Sequence, residues 1–437
     1  MGAVIMVNVA AVFSTLGNPN SLFPLAVKDT FSTAGMTIGS FATGKEEGQD
    51  RFIDEVGTEV LWLGGIPAFK WLFDKTIFKA FGLDSGVSDY RALKDKDVFK
   101  KMKEYAPTEE IRKNLQKIEK NEKLFKNLSL YKFLFATAAA ITTYIAMTRA
   151  KHAYTEKQIR KNLIAEHNKK QSEENKKNNE TVNEKSLKNP AFKGIGSVVK
   201  DFALSPVKNQ WLMDGAITFE RLYDSRSPQE CTGYAIREGL YLFFMYYMGN
   251  KIQELLEKRA DKKNNKSIAL DSRVIEDINF QKSFENDSIK DGLEAFNKIK
   301  GAKDAELYEF LHKNPDNNVV KIAKQSDLIK MYKKTDKIDT RKFIDLNEIR
   351  NTHTKLEKLY TQYTDAIAKG ETSEQFFKGL KRLKRNSILL NIGLSILALG
   401  VAVPGVMLAK RLLSKNDKEF HTKVQIREKL KEEGVIS

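Results

Sequence analysis

Apolar residues in this chain are gathered into a few runs, and the runs come in two grades. The longest is Asn386–Ala409, NSILLNIGLSILALGVAVPGVMLA, 24 residues without a charged side chain. At about 1.5 Å per residue a helix of this length reaches about 36 Å, enough to cross a hydrocarbon core of about 30 Å with some tilt. Lys381, Arg382, Lys384 and Arg385 precede it, and Lys410 and Arg411 follow. Pro404 is expected to kink its last third. The second strong run is Tyr131–Thr148, YKFLFATAAAITTYIAMT. Its Lys132 can snorkel, and Ala138–Ala140 with the Thr residues make a small-residue face suited to helix packing.

The weaker grade is too short to span on its own. Within 51–82 the uncharged stretch Val60–Phe69 is only about 15 Å of helix. Gly64, Gly65 and Pro67 weaken it, while Trp62 and Trp71 suit a headgroup belt. Gly239–Asn250, GLYLFFMYYMGN, is about 18 Å and reads as an interface or bundle-core segment. At the N-terminus, Ala3–Leu16 predicts a short apolar helix that stays on the protein, since it lacks a basic n-region and a cleavage site. Thr30–Gly44, rich in Gly, Ser, Thr and Ala, fits either a close helix contact or a loop.

Between these runs the pattern is that of amphipathic helices. Thr108 caps a helix whose first turn holds Glu109 and Glu110, and Ile111, Leu115, Ile118, Phe125 and Leu128 form its apolar stripe. Another stripe, Leu346, Ile349, Leu356, Tyr360, Tyr363 and Ile367, ends at Gly370, where a C-cap belongs. Thr372 and Gln375 give the next helix a capping box. Asn168–Asn189 has no aromatic and almost no apolar residue, so it reads as a disordered linker. The organisation expected is therefore a membrane half at 1–167 with weak segment 51–82 and span 131–148, a linker at 168–189 and a second weak membrane segment at 190–259. A polar helical lobe at 260–385, a transmembrane helix at 386–413 and a charged tail at 414–437 complete it.

Composition adjusts this picture. Over 437 residues, 30% are charged and the mean hydropathy is −0.45, too polar for a protein made only of spans. Nine prolines and abundant Lys, Glu, Leu and Ile favour helix throughout. The fold class expected is all-α, a multi-pass helical membrane protein with polar lobes and two related halves. The net charge of +17 points to anionic lipid headgroups, with Lys381, Arg382, Lys384 and Arg385 as the contacts. Lys outnumbers Arg and no reader motif appears, which disfavours nucleic acid. Protein partners are expected through the 260–385 lobe, and the lobes are expected in the cytoplasm. The single cysteine, Cys231, excludes an intrachain disulfide and a multi-cysteine metal site, and reads as structural.

No catalytic pattern stands out. The five histidines, at 152, 167, 312, 353 and 421, show no ligand pair at helical spacing. There is no Walker loop and no G-x-S-x-G. Asp336, Asp339 and Asp345 lack the spacing of a calcium loop and read as a solvated helix start. No cofactor, metal or catalytic residue is expected, and the balance is against an enzyme. What remains is charge beside apolar segments: Glu59, Lys70, Asp74, Arg237 and Glu238, candidates if they lie at membrane depth. Lys70 and Asp74, at i and i+4, can pair with each other.

Short matches repeat across the linker. Val27-Lys28-Asp29 parallels Val199-Lys200-Asp201, Arg51-Phe52-Ile53-Asp54 parallels Arg221-Leu222-Tyr223-Asp224, and Glu59-Val60-Leu61-Trp62-Leu63 parallels Glu238-Gly239-Leu240-Tyr241-Leu242. A duplication would put Glu59 and Glu238 at equivalent positions. Three functions follow in order: a structural or scaffolding membrane component, a transporter or channel of two repeated halves, and a membrane-bound enzyme. The first predicts no water-filled cavity, the second a polar path lined by paired charges, the third a pocket of titratable groups at the membrane surface.

Overall fold

The low proline content and the 3.6-residue periodicity are realised in full. The computed structural model describes residues 9–17, 22–87, 90–173, 206–413 and 420–436, and the chain is all-α, about 80% helix. Among the described residues the one β feature is a two-residue antiparallel pairing, Met331–Tyr332 with Lys337–Ile338. The chain forms two compact units. Unit 1 comprises Met1–Pro24, Lys70–Leu134 and Gly249–Gly393; unit 2 comprises Leu25–Phe69, Phe135–Met248 and Leu394–Ser437. The expected linker lies mostly in 174–205, outside the described residues, but its first residues continue the helix Glu122–Glu173.

Unit 1 is built from short, well-capped helices around an apolar core. Asp95, Thr108, Asp271, Asp277, Asn317 and Asp345 each accept a backbone N–H at a helix start. Gln375 Oε1 accepts from Thr372 N at 3.0 Å and Thr372 Oγ1 from Gln375 N at 3.2 Å, the expected capping box. Gly370 has φ 88°, the left-handed cap position that glycine fills without strain. In the Leu346–Ala368 helix the buried stripe is Leu346, Ile349, Leu356, Leu359, Tyr363 and Ala366, so Leu359 and Ala366 replace the expected Tyr360 and Ile367 at its later turns. Phe376, Phe377, Phe284 and Tyr363 pack edge to face or tilted in the middle of this core. Of the acidic patch only Asp345 starts a helix: Asp336 sits at φ 50° in the hairpin, and the buried Asp339 clamps Arg341 at 2.8 Å.

Unit 2 takes its helices from Phe23–Phe41, Lys45–Val60, Ile66–Phe73, the later part of Glu122–Glu173, Pro206–Tyr223, Pro228–Leu242 and Val403–Leu413, with His421–Glu432 at the end. Thr30–Gly44 is therefore mostly helix, not loop. Nor do Gly64, Gly65 and Pro67 break their segment. A π-helical turn, Leu61–Gly65, carries the chain from one helix into the next, and Pro67 follows it. Ala398–Ala402 does the same ahead of Pro404. The wider turn relieves the clash between a proline ring and the carbonyl four residues back. Small residues seam two helices together: a Cβ on Gly35 would lie 2.0 Å from the carbonyl oxygen of Gly400, and one on Gly39 3.6 Å from Pro404. Gly35 and Gly39 form a G-x-x-x-G step, the spacing that lets helix backbones approach closely.

Among the described residues, two helices are long and apolar enough to cross a membrane, Glu122–Lys169 and Ser373–Leu413, and only 28% of the apolar stretch of each is buried. Trp62 corrects one expectation: at 3% exposure it faces the interior and cannot serve a headgroup belt, whereas Trp71 is exposed.

A buried charge network as the candidate functional site

Within unit 2 the periodic positions are polar. On Phe23–Phe41 the buried residues include Asp29, Thr33, Met36 and Ser40; on Lys45–Val60, Asp50 and Asp54. Tyr144, Thr148, Lys151 and Thr155 are buried on the long helix, and Gln210, Asp214, Ile217 and Arg221 on Pro206–Tyr223. Spacings of three, four and seven place each set on one helix face. Tyr234, Arg237, Glu238 and Tyr241 follow the same rule on Pro228–Leu242. The start of that helix is fixed by its cap: Ser227 Oγ accepts from Glu230 N at 3.1 Å, and Glu230 reaches back to Arg226 N at 2.6 Å.

Arg221 is the hub. Its guanidinium meets Asp54 Oδ2 at 3.0 Å and Glu238 Oε1 at 2.7 Å, and its Nε donates to the Tyr144 hydroxyl at 2.9 Å. Arg237 bridges Glu55 at 2.6 Å and also holds Glu238. Lys151 lies 3.2 Å from Asp54 and 3.7 Å from Asp50. Asp50 is held as well by Thr155 at 2.8 Å and Arg226 at 3.3 Å. Arg51 and Arg237 flank the Tyr234 ring, at 5.4 and 5.1 Å from its centroid. The web shares its partners but is not saturated: Asp54 Oδ1, Arg51 Nε and Nη1, and Arg226 Nη1 are buried with no hydrogen-bond partner among the described residues.

Three carboxylates stand apart. Asp29 accepts from the Tyr241 hydroxyl at 2.8 Å, and Asp214 from the Tyr246 hydroxyl at 2.5 Å. Neither oxygen of Glu220 has a hydrogen-bond partner. Among the described residues none of the three has a cation within ion-pair distance. Asp29, Asp214, Trp62, Glu55, Arg221 and Glu238 line a cavity of about 30 Å³, room for about two waters. A second, more open cleft of about 140 Å³ is lined by Glu47, Asp50, Arg51, Glu230, Arg237, Lys410 and Arg411 among others. Met36 and Arg237 line both, so the cleft and the cavity adjoin. Among the described residues no group of three or more His, Cys, Asp or Glu side chains is placed to hold a metal ion.

No protein-family model, curated protein or solved structure matches the chain.

The sequence candidates divide. Arg237 and Glu238 are brought together at the heart of the network. Glu59 is not: it accepts from Thr30 Oγ1 at 2.5 Å at a more exposed position, so its surroundings differ from those of Glu238. Lys70 and Asp74 belong to unit 1, and Asp74 pairs with Lys132 at 2.6 Å in place of the expected Lys70. Lys384 corrects the lipid-contact set. It is buried in unit 1 and donates to Ile268 O at 2.8 Å, and burial lowers its affinity for a proton. Arg385 is engaged by Glu276 at 2.7 Å, which leaves Lys381 and Arg382 as the free pair of the four. Asp54, Lys151, Arg221 and Tyr144 were missed as site residues. Their signal, polar residues three, four or seven apart on one helix face, is lost among the many charges of the surrounding sequence, as in Lys45–Val60.

Proposed function

We propose that the protein is a multi-pass membrane protein whose unit 2 lies in the bilayer and takes a small charged species into its interior, as a transporter or channel does. The observation that carries this reading is the inverted burial of unit 2. Phe31, Ile38, Phe52, Val60, Leu397 and Val401 are exposed, while Asp54, Lys151, Arg221 and Glu238 are buried. Water penalises that arrangement on both counts, and lipid favours it on both. A scaffold gives no reason for an enclosed polar cavity beside an open cleft; a transport path does.

The order of elements fits two related halves, although Glu59 and Glu238, which a duplication makes equivalent, have different surroundings. A 19-residue helix, a long π-interrupted helix ending at Phe78, a polar stretch and the helix Glu122–Glu173 are followed by an 18-residue helix, a π-interrupted helix ending at Asn264, a polar stretch and the helix Ser373–Leu413. Tyr144 meets Arg221, and Ala136 and Ala140 pack with Met213, so Glu122–Glu173 and Pro206–Tyr223 run parallel in unit 2.

Three measurements test the reading. The protein stays in the membrane pellet through carbonate washing, and single cysteines at Glu166 and Lys208, introduced with Cys231→Ser, react with an impermeant maleimide from opposite sides. Release to the supernatant, or labelling of both from one side, overturns the membrane assignment. Purified protein in liposomes then collapses an imposed ion gradient faster than empty liposomes; equal rates overturn the transport assignment.

A further inference from the structure

We infer that Asp29 and Asp214 form a proton-binding pair across the small cavity of unit 2. The inference rests on the membrane reading above and names the species the site takes. Both side chains are buried, at 8% and 6% exposure, and both line the cavity. Each accepts a tyrosine hydroxyl on one oxygen, Oδ1 of Asp29 and Oδ2 of Asp214. Among the described residues neither has a cation within ion-pair distance, although the carboxylates beside them, Asp54, Glu55 and Glu238, are all held by arginines. A buried carboxylate without a counter-ion is costly when ionised and is relieved by taking up a proton or a cation. No ligand set for a metal is present among the described residues, so the proton is the species that fits.

A second observation points to a solvated cavity. Trp62 lines it, is 3% exposed, and its indole N–H is buried with no acceptor among the described residues. A buried donor beside a polar cavity is satisfied by water, and a water there gives the two acids a route for proton exchange. Facing Asp29 are Tyr241, Glu55, Glu59 and Arg221; facing Asp214 are Tyr246, Asp29, Glu238 and Arg221. Two arginines also line the cavity, but Asp54 and Glu238 already hold Arg221, and Glu55 and Glu238 already hold Arg237, so the pair is where the network accepts a proton.

The test is infrared spectroscopy of the full chain in liposomes, titrated by pH. The wild type is expected to show the carbonyl band of protonated carboxylic acid at neutral pH. Asp29→Asn and Asp214→Asn should each remove their own share, and the double variant both. Tyr241→Phe and Tyr246→Phe should shift the band without removing it, because the carbonyl frequency follows its hydrogen bonds. Glu220→Gln, the third carboxylate without a cation, serves as the control for assignment. A wild type without the band, or a double variant that keeps all of it, overturns the inference. So does loss of the band in sodium, which would make the site a sodium site. Proton flux measured on the same vesicles separates the two readings: band without flux keeps the pair and removes the transporter, and flux without band does the reverse.

Discussion

The interior of unit 1 is made of Leu356, Phe376, Phe377, Ile349 and their neighbours, and most of its charges lie outside, with Lys384 and Asp339 among the exceptions. The interior of unit 2 holds Asp54, Lys151, Arg221, Arg237 and Glu238, and aromatic and aliphatic side chains lie outside. Both are helical, from one chain, with helices amphipathic at the same period. The difference is which face turns inward. Helical periodicity alone says that a face exists; the surrounding solvent decides which one is buried. Unit 1 buries mainly apolar faces and unit 2 buries charged ones, a difference that the membrane proposed above would account for.

The largest effect expected on this contrast comes from the hub. Arg221→Leu removes the cation shared by Asp54 and Glu238 and leaves their charges buried and undercompensated, a loss of about 3–5 kcal/mol. Thermal unfolding of the detergent-solubilised protein should show unit 2 melting first. A variant as stable as wild type would mean that the network is not stabilising as a unit. Next comes a matched pair of surface changes. Leu397 in unit 2 and Ile278 in unit 1 are comparably exposed, at 59% and 64%. Leu397→Lys should cost about 2.5–3.5 kcal/mol of membrane insertion, and Ile278→Lys should stay within about 0.5 kcal/mol. Equal effects, read as the membrane-inserted fraction and the melting temperature, would erase the distinction between the units.

Much of unit 1 was legible in the sequence, because caps and stripes act locally. Thr108, Gly370 and the Thr372–Gln375 box each declare themselves within four residues, and all three formed. Unit 2 was legible in part. The strong apolar runs marked the two helices that pass a span test. Of the polar stripe Tyr234, Arg237, Glu238 and Tyr241, the sequence singles out Arg237 and Glu238 as candidates but does not join them to the tyrosines, because a stripe of polar residues looks like a solvated face when its environment is unknown. Arg221 and Asp54 are 167 positions apart, and nothing local joins them. The π turns before Pro67 and Pro404 were hidden for a related reason. A proline argues for a break unless the wider turn ahead of it is foreseen.

The helix seam gives a smaller effect. A Cβ on Gly35 would sit 2.0 Å from the Gly400 carbonyl oxygen, a backbone atom with little room to move. Gly35→Ala should therefore separate the two helices at a cost of about 1–3 kcal/mol. Gly393, whose added Cβ would meet nothing within 4 Å, is the control. If Gly35→Ala and Gly393→Ala melt alike, close backbone approach does not hold this part of unit 2.

The smallest effect belongs to unit 1, where burial of a titratable group is the exception. His312, on Asp304–Lys313, stacks on Tyr105 at 4.7 Å and lies against Tyr308 at 4.8 Å, with its Nε2 buried and unpaired. Burial, with Lys324 adding to it, brings its pKa down from 6.5 to about 4. The imidazole is thus neutral in the fold, while the unfolded chain takes up a proton below about pH 6.5. Stability is full above pH 6.5, falls as the pH drops toward 4, and levels off below that, because over this window the unfolded state binds more protons. The loss should reach about 2 kcal/mol, allowing for the partial exposure of the ring. Hydrogen exchange of the 304–313 segment, corrected for the intrinsic pH dependence of exchange, should show its opening become easier between pH 6.5 and 4.5. His312→Phe keeps the stacking and removes the titration, so its profile should be flatter by that amount. If the variant and the wild type lose protection in parallel, another group carries the acid sensitivity of unit 1, with His353, buried in the same core, the next to test.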